Sequence, residues 1–233
     1  MTGLLIVVNY EQELEIGRFL DDLSRVDHGL DIVIVDDGSR DRSPAIASER
    51  GYAVLRHATN RGVGAAIRTG IAHALANGGY EYVVIMSSNG KMRPSEIATV
   101  IAPILEGRAD YVQGTRFSAG GRALALSMFR SAAIPAYSLL ASALLGRRFT
   151  DITCGFRAYR VGLLQRARRC YGERLVEERG FACMVELLLK LNRMGARMCE
   201  IPLDLRYDLK QSASKMDVGG NTLRLLRKLV AWR

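Results

Sequence analysis

The sequence predicts an α/β fold with a mostly parallel central sheet and helices on both faces. Residues 4–8 (LLIVV) and 31–35 (DIVIV) are short β-branched runs with the near-continuous apolar character of strands buried on both sides. A helix-period stretch, residues 14–23, lies between them and completes a βαβ unit. The same alternation then continues through helix 44–50, strand 52–55, helix 63–76, strand 82–86, helix 95–105 and strand 111–113. In helix 95–105, Ile97, Val100, Ile101 and Ile104 share one face. Apolar strands alternating with amphipathic helices imply a sheet covered on both sides, and such sheets bind ligands at the carboxyl ends of their strands.

After Gly120 the pattern changes. Residues 122–145 read as one helix or two, kinked at Pro135. Residues 161–169 and 181–194 read as helices, and 198–207 as one or two strands. Residues 221–232 set Leu223, Leu226, Leu229 and Val230 against Arg224, Arg227 and Lys228. Neither an internal repeat nor a low-complexity linker interrupts the chain, so one domain, 1–233, is expected, with the second half completing the sheet of the first.

Composition narrows the partners without choosing one. The chain has 233 residues, 48% hydrophobic and 24% charged, and a net charge of +9 from 33 basic and 24 acidic residues. That balance favours an anionic partner: a phosphate, a nucleotide, nucleic acid or an acidic membrane surface. The basic residues are dispersed and not interleaved with aromatics, so no nucleic-acid partner is expected. Cys154, Cys170, Cys183 and Cys199 form no C-x-x-C pair, which points to reduced thiols and not to a zinc or redox motif. The first strand begins within three residues of Met1, leaving no room for a signal peptide, and a cytoplasmic chain is expected. No apolar run reaches the ~20 residues of a membrane-spanning helix. The nearest, 123–146, is broken by Arg130 and Pro135.

Two loops carry candidate chemistry. Val35-Asp36-Asp37-Gly38-Ser39, followed by Asp41 and Ser43, places two carboxylates at the end of the second strand, suited to base N–H groups or ribose hydroxyls. A turn followed by a helix N-cap explains Gly38, Ser39 and Ser43 equally well. Asn60-Arg61-Gly62-Val63-Gly64 precedes a helix but lacks the third glycine of a dinucleotide fingerprint and does not follow the first strand. His28, His57 and His73 show no ligand spacing and are expected at surface or helix positions.

Taken in order, these pieces resemble family 2 glycosyltransferases of GT-A fold, and in particular their dolichol-phosphate mannosyltransferase branch. Val8-Asn9-Tyr10-Glu11-Gln12-Glu13 is similar to the family's first-strand nucleotide loop, VDDGSRDRS to its second, and NRGVGAAIRTG to its third motif. Gly114-Thr115-Arg116 resembles the branch's G-T-R, and Asp151-Ile152-Thr153-Cys154-Gly155-Phe156-Arg157-Ala158-Tyr159 its D-x-T-S-G-F-R-x-Y. Glu186, Ile201-Pro202 and Ser214-Lys215 complete the series. The resemblance implies a nucleotide-binding half, 1–118, and an acceptor-binding half, 119–233. It implies nucleotide contacts at Val8, Tyr10, Gln12, Val35 and Asp37, where Val8 replaces a usual proline and Gln12 a usual glutamate. It assigns phosphate and acceptor binding to Arg116, Arg130 and Lys215, with Arg206 and Lys210 as further candidates. Arg130 also has an independent argument, since a guanidinium within an apolar stretch needs an anion or an escape to solvent.

The family's D-A-D-G-Q reads here as Ser87-Ser88-Asn89-Gly90-Lys91. An Asp-x-Asp holds Mg²⁺ or Mn²⁺ through anionic oxygens, and two hydroxyls and an amide supply no such charge. Ser87, Ser88 and Asn89 keep their places beside the nucleotide, whereas Lys91 brings an ammonium toward the diphosphate, with Arg116, Lys215 and Arg93 sharing the task. The expectation is a metal-independent transferase with no tightly bound cofactor, a weak Mg²⁺ or Mn²⁺ dependence staying open. Its substrates would be a UDP- or GDP-linked sugar and an acceptor such as a lipid phosphate. The alternative is an inactive nucleotide-sugar-binding pseudoenzyme or regulatory subunit. By the family's inverting analogy an alcohol acceptor would need a base, and Asp151 is the candidate, whereas a lipid phosphate would need none. Residues 124–145 and the terminal basic helix suit either peripheral contact with the cytoplasmic face of a membrane or the protein's own core.

Overall fold

The computed structural model describes residues 1–209. In chain order its elements are β1 (Gly3–Asn9), α1 (Glu13–Ser24), β2 (Leu30–Asp36), α2 (Ser43–Glu49), β3 (Ala53–Arg56), α3 (Val63–Asn77), β4 (Tyr82–Ser87), α4 (Ile97–Leu105) and β5 (Tyr111–Thr115). There follow β6 (Arg122–Leu124), α5 (Met128–Leu145), β7 (Arg157–Arg160), α6 (Val161–Tyr171), α7 (Cys183–Arg193), β8 (Met198–Pro202) and β9 (Asp204–Arg206). Seven strands form one sheet in the order β3-β2-β1-β4-β7-β5-β8, and β6 and β9 form a small second one.

β1 is apolar on both faces because both are covered. Leu4, Ile6 and Val8 pack into one core layer with Ile67 and Ile71 of α3 and Leu187 and Leu188 of α7. Leu5 and Val7 pack into the opposite layer with Phe19 and Leu20 of α1 and Val100 and Ile104 of α4. Each such side chain removed from water stabilises the fold by roughly 1.5–3 kcal/mol, so the alternation of faces holds helices to both sides of every central strand. Parallel pairing then fixes the register: Val8 lies opposite Val35 and Ser87, and Asn9 opposite Asp36. Three strand ends thereby meet at one edge.

The sequence pattern missed β7, which runs antiparallel between β4 and β5. Its sequence, Arg-Ala-Tyr-Arg, lacks an apolar run because Arg157 is buried among backbone acceptors. The Arg157 guanidinium donates to the carbonyls of Cys154 (2.7 Å), Met184 (2.5 Å) and Ile152 (2.7 Å). The expected helix from residue 122 also begins later. Residues 122–124 instead pair in parallel with β9, and α5 starts at Met128 and runs through Pro135 as one element. Residues 198–207 divide into β8 and β9, and the expected helix 221–232 lies outside the described residues.

α5 is the exception to the buried pattern. Among the described residues it is the one helix long and apolar enough to cross a membrane by length and composition, yet only 17% of it is buried. Met128 is 91% exposed and Leu139 73%, while Ile134, Ser138 and Ala141 face the protein.

All four cysteines are free. Burial pushes the thiols of Cys154 and Cys183 up to about 12, whereas Cys170 is exposed. Alkylation with iodoacetamide at about pH 8, near the ordinary thiol value, should therefore modify Cys170 in the native protein and spare Cys154 and Cys183 until denaturant is added. Peptide mass spectrometry checks this, and native modification of Cys154 at the rate of Cys170 would contradict it.

Candidate active site

The edge where β1, β2 and β4 end is held by a buried polar knot. The Asn9 amide donates to Asp36 Oδ1 (2.8 Å) and Ser43 Oγ (2.9 Å), and its carbonyl oxygen accepts from Ser88 Oγ (2.7 Å). Asp36 also accepts from the Ser39 amide at 3.1 Å. Ser88 is thus fully buried and spent on the knot, and it does not line the cavity beside it. Val35, likewise expected at the nucleotide, points into the core. Strand alternation turns both residues away from the side on which their neighbours act.

Asp37 organises the next loop. Its Oδ1 accepts from the Arg61 amide (2.9 Å) and from His57 Nδ1 (2.7 Å), and its Oδ2 from the Gly62 amide (2.7 Å). Because an ionised carboxylate only accepts, Nδ1 carries the His57 proton and Nε2 faces the Thr69 hydroxyl at 2.9 Å. His57 is therefore a buried support of Asp37 and not the surface histidine expected from its isolation in sequence. Gly38 makes this turn feasible: its φ is +74°, and a Cβ there would strike the Thr59–Asn60 backbone.

A cavity of about 470 Å³ opens at this edge. Val8, Tyr10, Gln12, Asp37, Ser87 and Asn89 all contribute to its wall. Gln12 donates through Nε2 to the Tyr10 carbonyl (2.8 Å), leaving its buried Oε1 with no hydrogen-bond partner. Lys91, Arg116, Arg130 and Arg179 enter the same cavity, and Asp37 is the one carboxylate among the described lining residues.

Arg116 extends from the end of β5 and meets Asp151 from the loop after α5. Nε lies 2.6 Å from Oδ2, Nη2 lies 2.7 Å from Oδ1 and 2.6 Å from Thr153 Oγ1, and Nη1 donates to the Tyr207 hydroxyl. Burial works against the charge of Arg116, but Asp151 more than offsets it and holds the guanidinium above its ordinary value. The loop bearing Asp151 is fixed in turn by Glu200, which accepts from the amides of Thr150 (2.7 Å) and Asp151 (3.0 Å). Asp151 is fully buried and does not line the cavity. The expectation of an acceptor-facing base is corrected on this point: the carboxylate faces Arg116 and also accepts from the amide and hydroxyl of Thr153.

Lys91 sits at the turn after β4. Its amide donates to Asn89 Oδ1 (3.2 Å), Gly90 takes a φ of +69°, and the ammonium lies 4.9 Å from the centre of the Tyr207 ring. Arg206 departs from expectation. Its guanidinium pairs with Asp208 at 2.6 Å and does not line the cavity, although its amide donates to the Lys91 carbonyl (2.9 Å). Lys210 and Lys215 lie outside the described residues.

One wall was not legible as part of the site. Glu186 accepts from the amides of Glu177 and Glu178, each at 2.9 Å, and pairs with Lys190 at 2.8 Å. This clamp lays residues 177–179 across the start of α3, where the Gly64 amide donates to the Arg179 carbonyl at 3.0 Å. A Cβ at Gly64 would collide with the Glu178 carbonyl. Arg179 and Phe181 thereby reach the cavity, and only the placement of Glu186 among the motifs hinted at the arrangement.

A mostly parallel sheet with one antiparallel strand inserted, and a cation-lined cavity at its carboxyl edge, is the architecture expected of a glycosyltransferase of GT-A fold. Residues 4–167 match the model of glycosyl transferase family 2, and the chain belongs to that family and is a glycosyltransferase. It is 29% identical over 228 residues to the undecaprenyl-phosphate mannosyltransferase of Micrococcus luteus, covering 94% of this chain and 89% of the relative. It is 27% identical to the polyprenol monophosphomannose synthase of Mycolicibacterium smegmatis, covering 98% and 86% respectively. Among solved structures it is similar in fold to the glucosyl-3-phosphoglycerate synthase of Mycobacterium tuberculosis in complex with Mn²⁺, UDP and glucosyl-3-phosphoglycerate. That likeness has a TM-score of 0.74 at 18% identity and covers 99% of this chain and 79% of the other.

Replacing Asp151 by Asn leaves a buried guanidinium without its counter-charge, and should cost roughly 3–5 kcal/mol of stability. The double variant Arg116→Met, Asp151→Leu should recover most of that loss. Denaturant unfolding measures both, and an Asp151→Asn variant as stable as the parent would show that the pair does not hold this loop.

Proposed function

We propose that this chain transfers a hexosyl group, with inversion, from a UDP- or GDP-linked sugar to a polyprenyl phosphate at a membrane surface, without a tightly bound divalent ion. The observation that carries the reading is the charge of the cavity wall, where Lys91, Arg130 and Arg179 stand beside an Arg116 already paired with buried Asp151, against one carboxylate among the described lining residues, Asp37. Such a wall favours two phosphorylated substrates over a phosphorylated donor and a neutral alcohol. It also suits an acceptor that needs no general base, because a phosphate monoester is already ionised near neutral pH. Asp151 is turned toward Arg116, and Asp37, the one carboxylate among the described lining residues, is bonded to its own loop, which favours an acceptor that needs no base. The relatives in Micrococcus luteus and Mycolicibacterium smegmatis, named for transfer to undecaprenyl phosphate and for polyprenol monophosphomannose synthesis, support the acceptor class.

The donor set at the end of β4 does not fit a hard divalent cation. Ser88 Oγ is committed to Asn9, Asn89 Oδ1 accepts from the Lys91 amide, and neither carries charge. No group of three His, Cys, Asp or Glu side chains able to hold a metal ion occurs among the described residues. In this reading Lys91 and Arg116 meet the negative charge that develops on the departing nucleoside diphosphate, as fixed cations aimed at a leaving phosphate can. The unpartnered Gln12 Oε1 would accept an N–H of the base, beside Tyr10.

The placement at a membrane rests on α5. Its exposed Met128, Phe129 and Leu139 form an apolar surface, while Phe129, Arg130, Ile134 and Tyr137 line the cavity. A helix lying in the headgroup region of the cytoplasmic leaflet by that surface would present a lipid phosphate directly to Arg130.

Two tests follow. With a polyprenyl phosphate acceptor, turnover should persist in excess EDTA, and Lys91→Gln should lower kcat/KM by about 10²–10³-fold, the usual loss for a group stabilising a developing anion. Loss of activity in EDTA with recovery in Mn²⁺ would overturn the metal-free reading, and binding of the nucleotide sugar without turnover on any acceptor would favour a binding-only protein. Separately, the protein should co-sediment with anionic vesicles, and Met128→Asp with Phe129→Asp should reduce that binding at least tenfold, since burying two large apolar side chains is worth more than 1.4 kcal/mol. Equal recovery of the variant and the parent with vesicles would remove α5 from the interface.

A further inference from the structure

We propose that Tyr207 is the positioning residue of the diphosphate pocket, seating Lys91 on its ring and coupling Arg116 to the anion through its hydroxyl. The inference rests on the metal-free reading above and assigns a residue that no sequence motif singled out. Tyr207 directly follows β9 and lines the cavity. The Lys91 ammonium lies 4.9 Å from its ring centre, within the range of a cation–π contact. The Arg116 guanidinium carbon lies 6.0 Å from the same centre, and Arg116 Nη1 donates to the phenol oxygen. Two cations that enter the cavity from beyond the ends of β4 and β5 thus meet at one aromatic side chain.

The geometry leaves the phenol one unused capacity. A tyrosine hydroxyl both accepts and donates. Here its oxygen accepts from Arg116, and its own proton has no acceptor among the described residues. Burial pushes the phenol above its ordinary value, so the proton stays in place at neutral pH. An anion in the cavity would receive that O–H, polarised by the guanidinium behind it. Arg116 is already neutralised by Asp151, and acting through Tyr207 gives it a route to the anion that does not break the pair. The backbone on either side of Tyr207 is anchored. The Arg206 amide donates to the Lys91 carbonyl at 2.9 Å, Arg18 donates to the Leu209 carbonyl at 2.9 Å, and Leu205 is buried.

The test compares nucleoside diphosphate with monophosphate, because the ratio of the two affinities isolates the β-phosphate. Calorimetry in EDTA with UDP against UMP, and GDP against GMP, uses the full chain and whichever base binds. The parent should hold the diphosphate at least ~10-fold more tightly, or about 1.4 kcal/mol. Tyr207→Phe, which keeps the ring, should cut the ratio to roughly 3-fold, and Tyr207→Leu should bring it near unity with monophosphate affinity held within about twofold, as expected when only a local contact is lost. A residue that merely fills the wall would weaken both nucleotides equally, and that result overturns the proposal. An unchanged ratio in Tyr207→Leu overturns it as well. Should Tyr207→Leu fail to fold, Tyr207→Phe decides alone, since an unchanged ratio removes the hydroxyl's part. A parent that prefers the diphosphate only with Mg²⁺ present would sink the metal-free reading and this inference together, whereas a parent that shows the preference in EDTA keeps that reading whatever the variants do.

Discussion

The cavity depends on one buried contact, the paired bond between the Arg116 guanidinium and the Asp151 carboxylate, at 2.6 and 2.7 Å. Arg116 ends β5, Asp151 belongs to the loop after α5, and the remaining donor of Arg116 reaches Tyr207 beyond β9. Three distant parts of the chain are therefore joined at the floor of the site. A buried pair of this kind is weak evidence for stability, because desolvating two charges consumes most of what their attraction supplies. Its value here is geometric. The pair fixes where the loop 150–153 lies, and Glu200 and Arg157 hold that loop from two further directions.

A second constraint acts on the opposite side of the cavity. Parallel pairing sets the ends of β1, β2 and β4 level, so the polar residues that follow must share a small volume. Asn9, Asp36, Ser43 and Ser88 satisfy one another there, leaving Tyr10, Gln12, Ser87 and Asn89 for the cavity. The result is a rigid neutral surface facing a cationic one. In a metal-assisted transferase the positive charge would arrive with the ion and leave with the product. In the reading proposed for this chain that charge is supplied by side chains of the cavity wall, Lys91, Arg116 and Arg130.

Much of this was legible in the sequence because its cause is local. A β-branched run buried on both faces has few other readings, so β1, β2 and β4 were readable to within a residue or two. Tyr10, Gln12, Asp37, Asn89, Lys91 and Arg116 could be named because their motifs resemble those of the family, and Arg130 also because it breaks an apolar stretch; all seven line the cavity. What failed has a long-range cause. β7 was missed because three backbone carbonyls, two of them in a preceding loop and one in α7, allow an arginine to occupy a central strand. Val35 and Ser88 were expected at the nucleotide from the family resemblance, and the pleat turns them inward. His57 and Tyr207 carry no motif, and their roles exist only through partners 20 and 91 residues away. Arg206 was expected to reach a phosphate, but the acidic neighbour two residues on captures it.

In the proposed mechanism a fixed ammonium occupies the place of a bound metal beside the diphosphate. Crystals grown with a nucleoside diphosphate and Mn²⁺, with anomalous diffraction recorded at the manganese edge, test it most directly. The account predicts Lys91 Nζ within hydrogen-bonding distance of the β-phosphate and no manganese peak at Ser87 or Asn89. A manganese peak bridging the diphosphate and Asn89, with Lys91 directed into solvent, would contradict it.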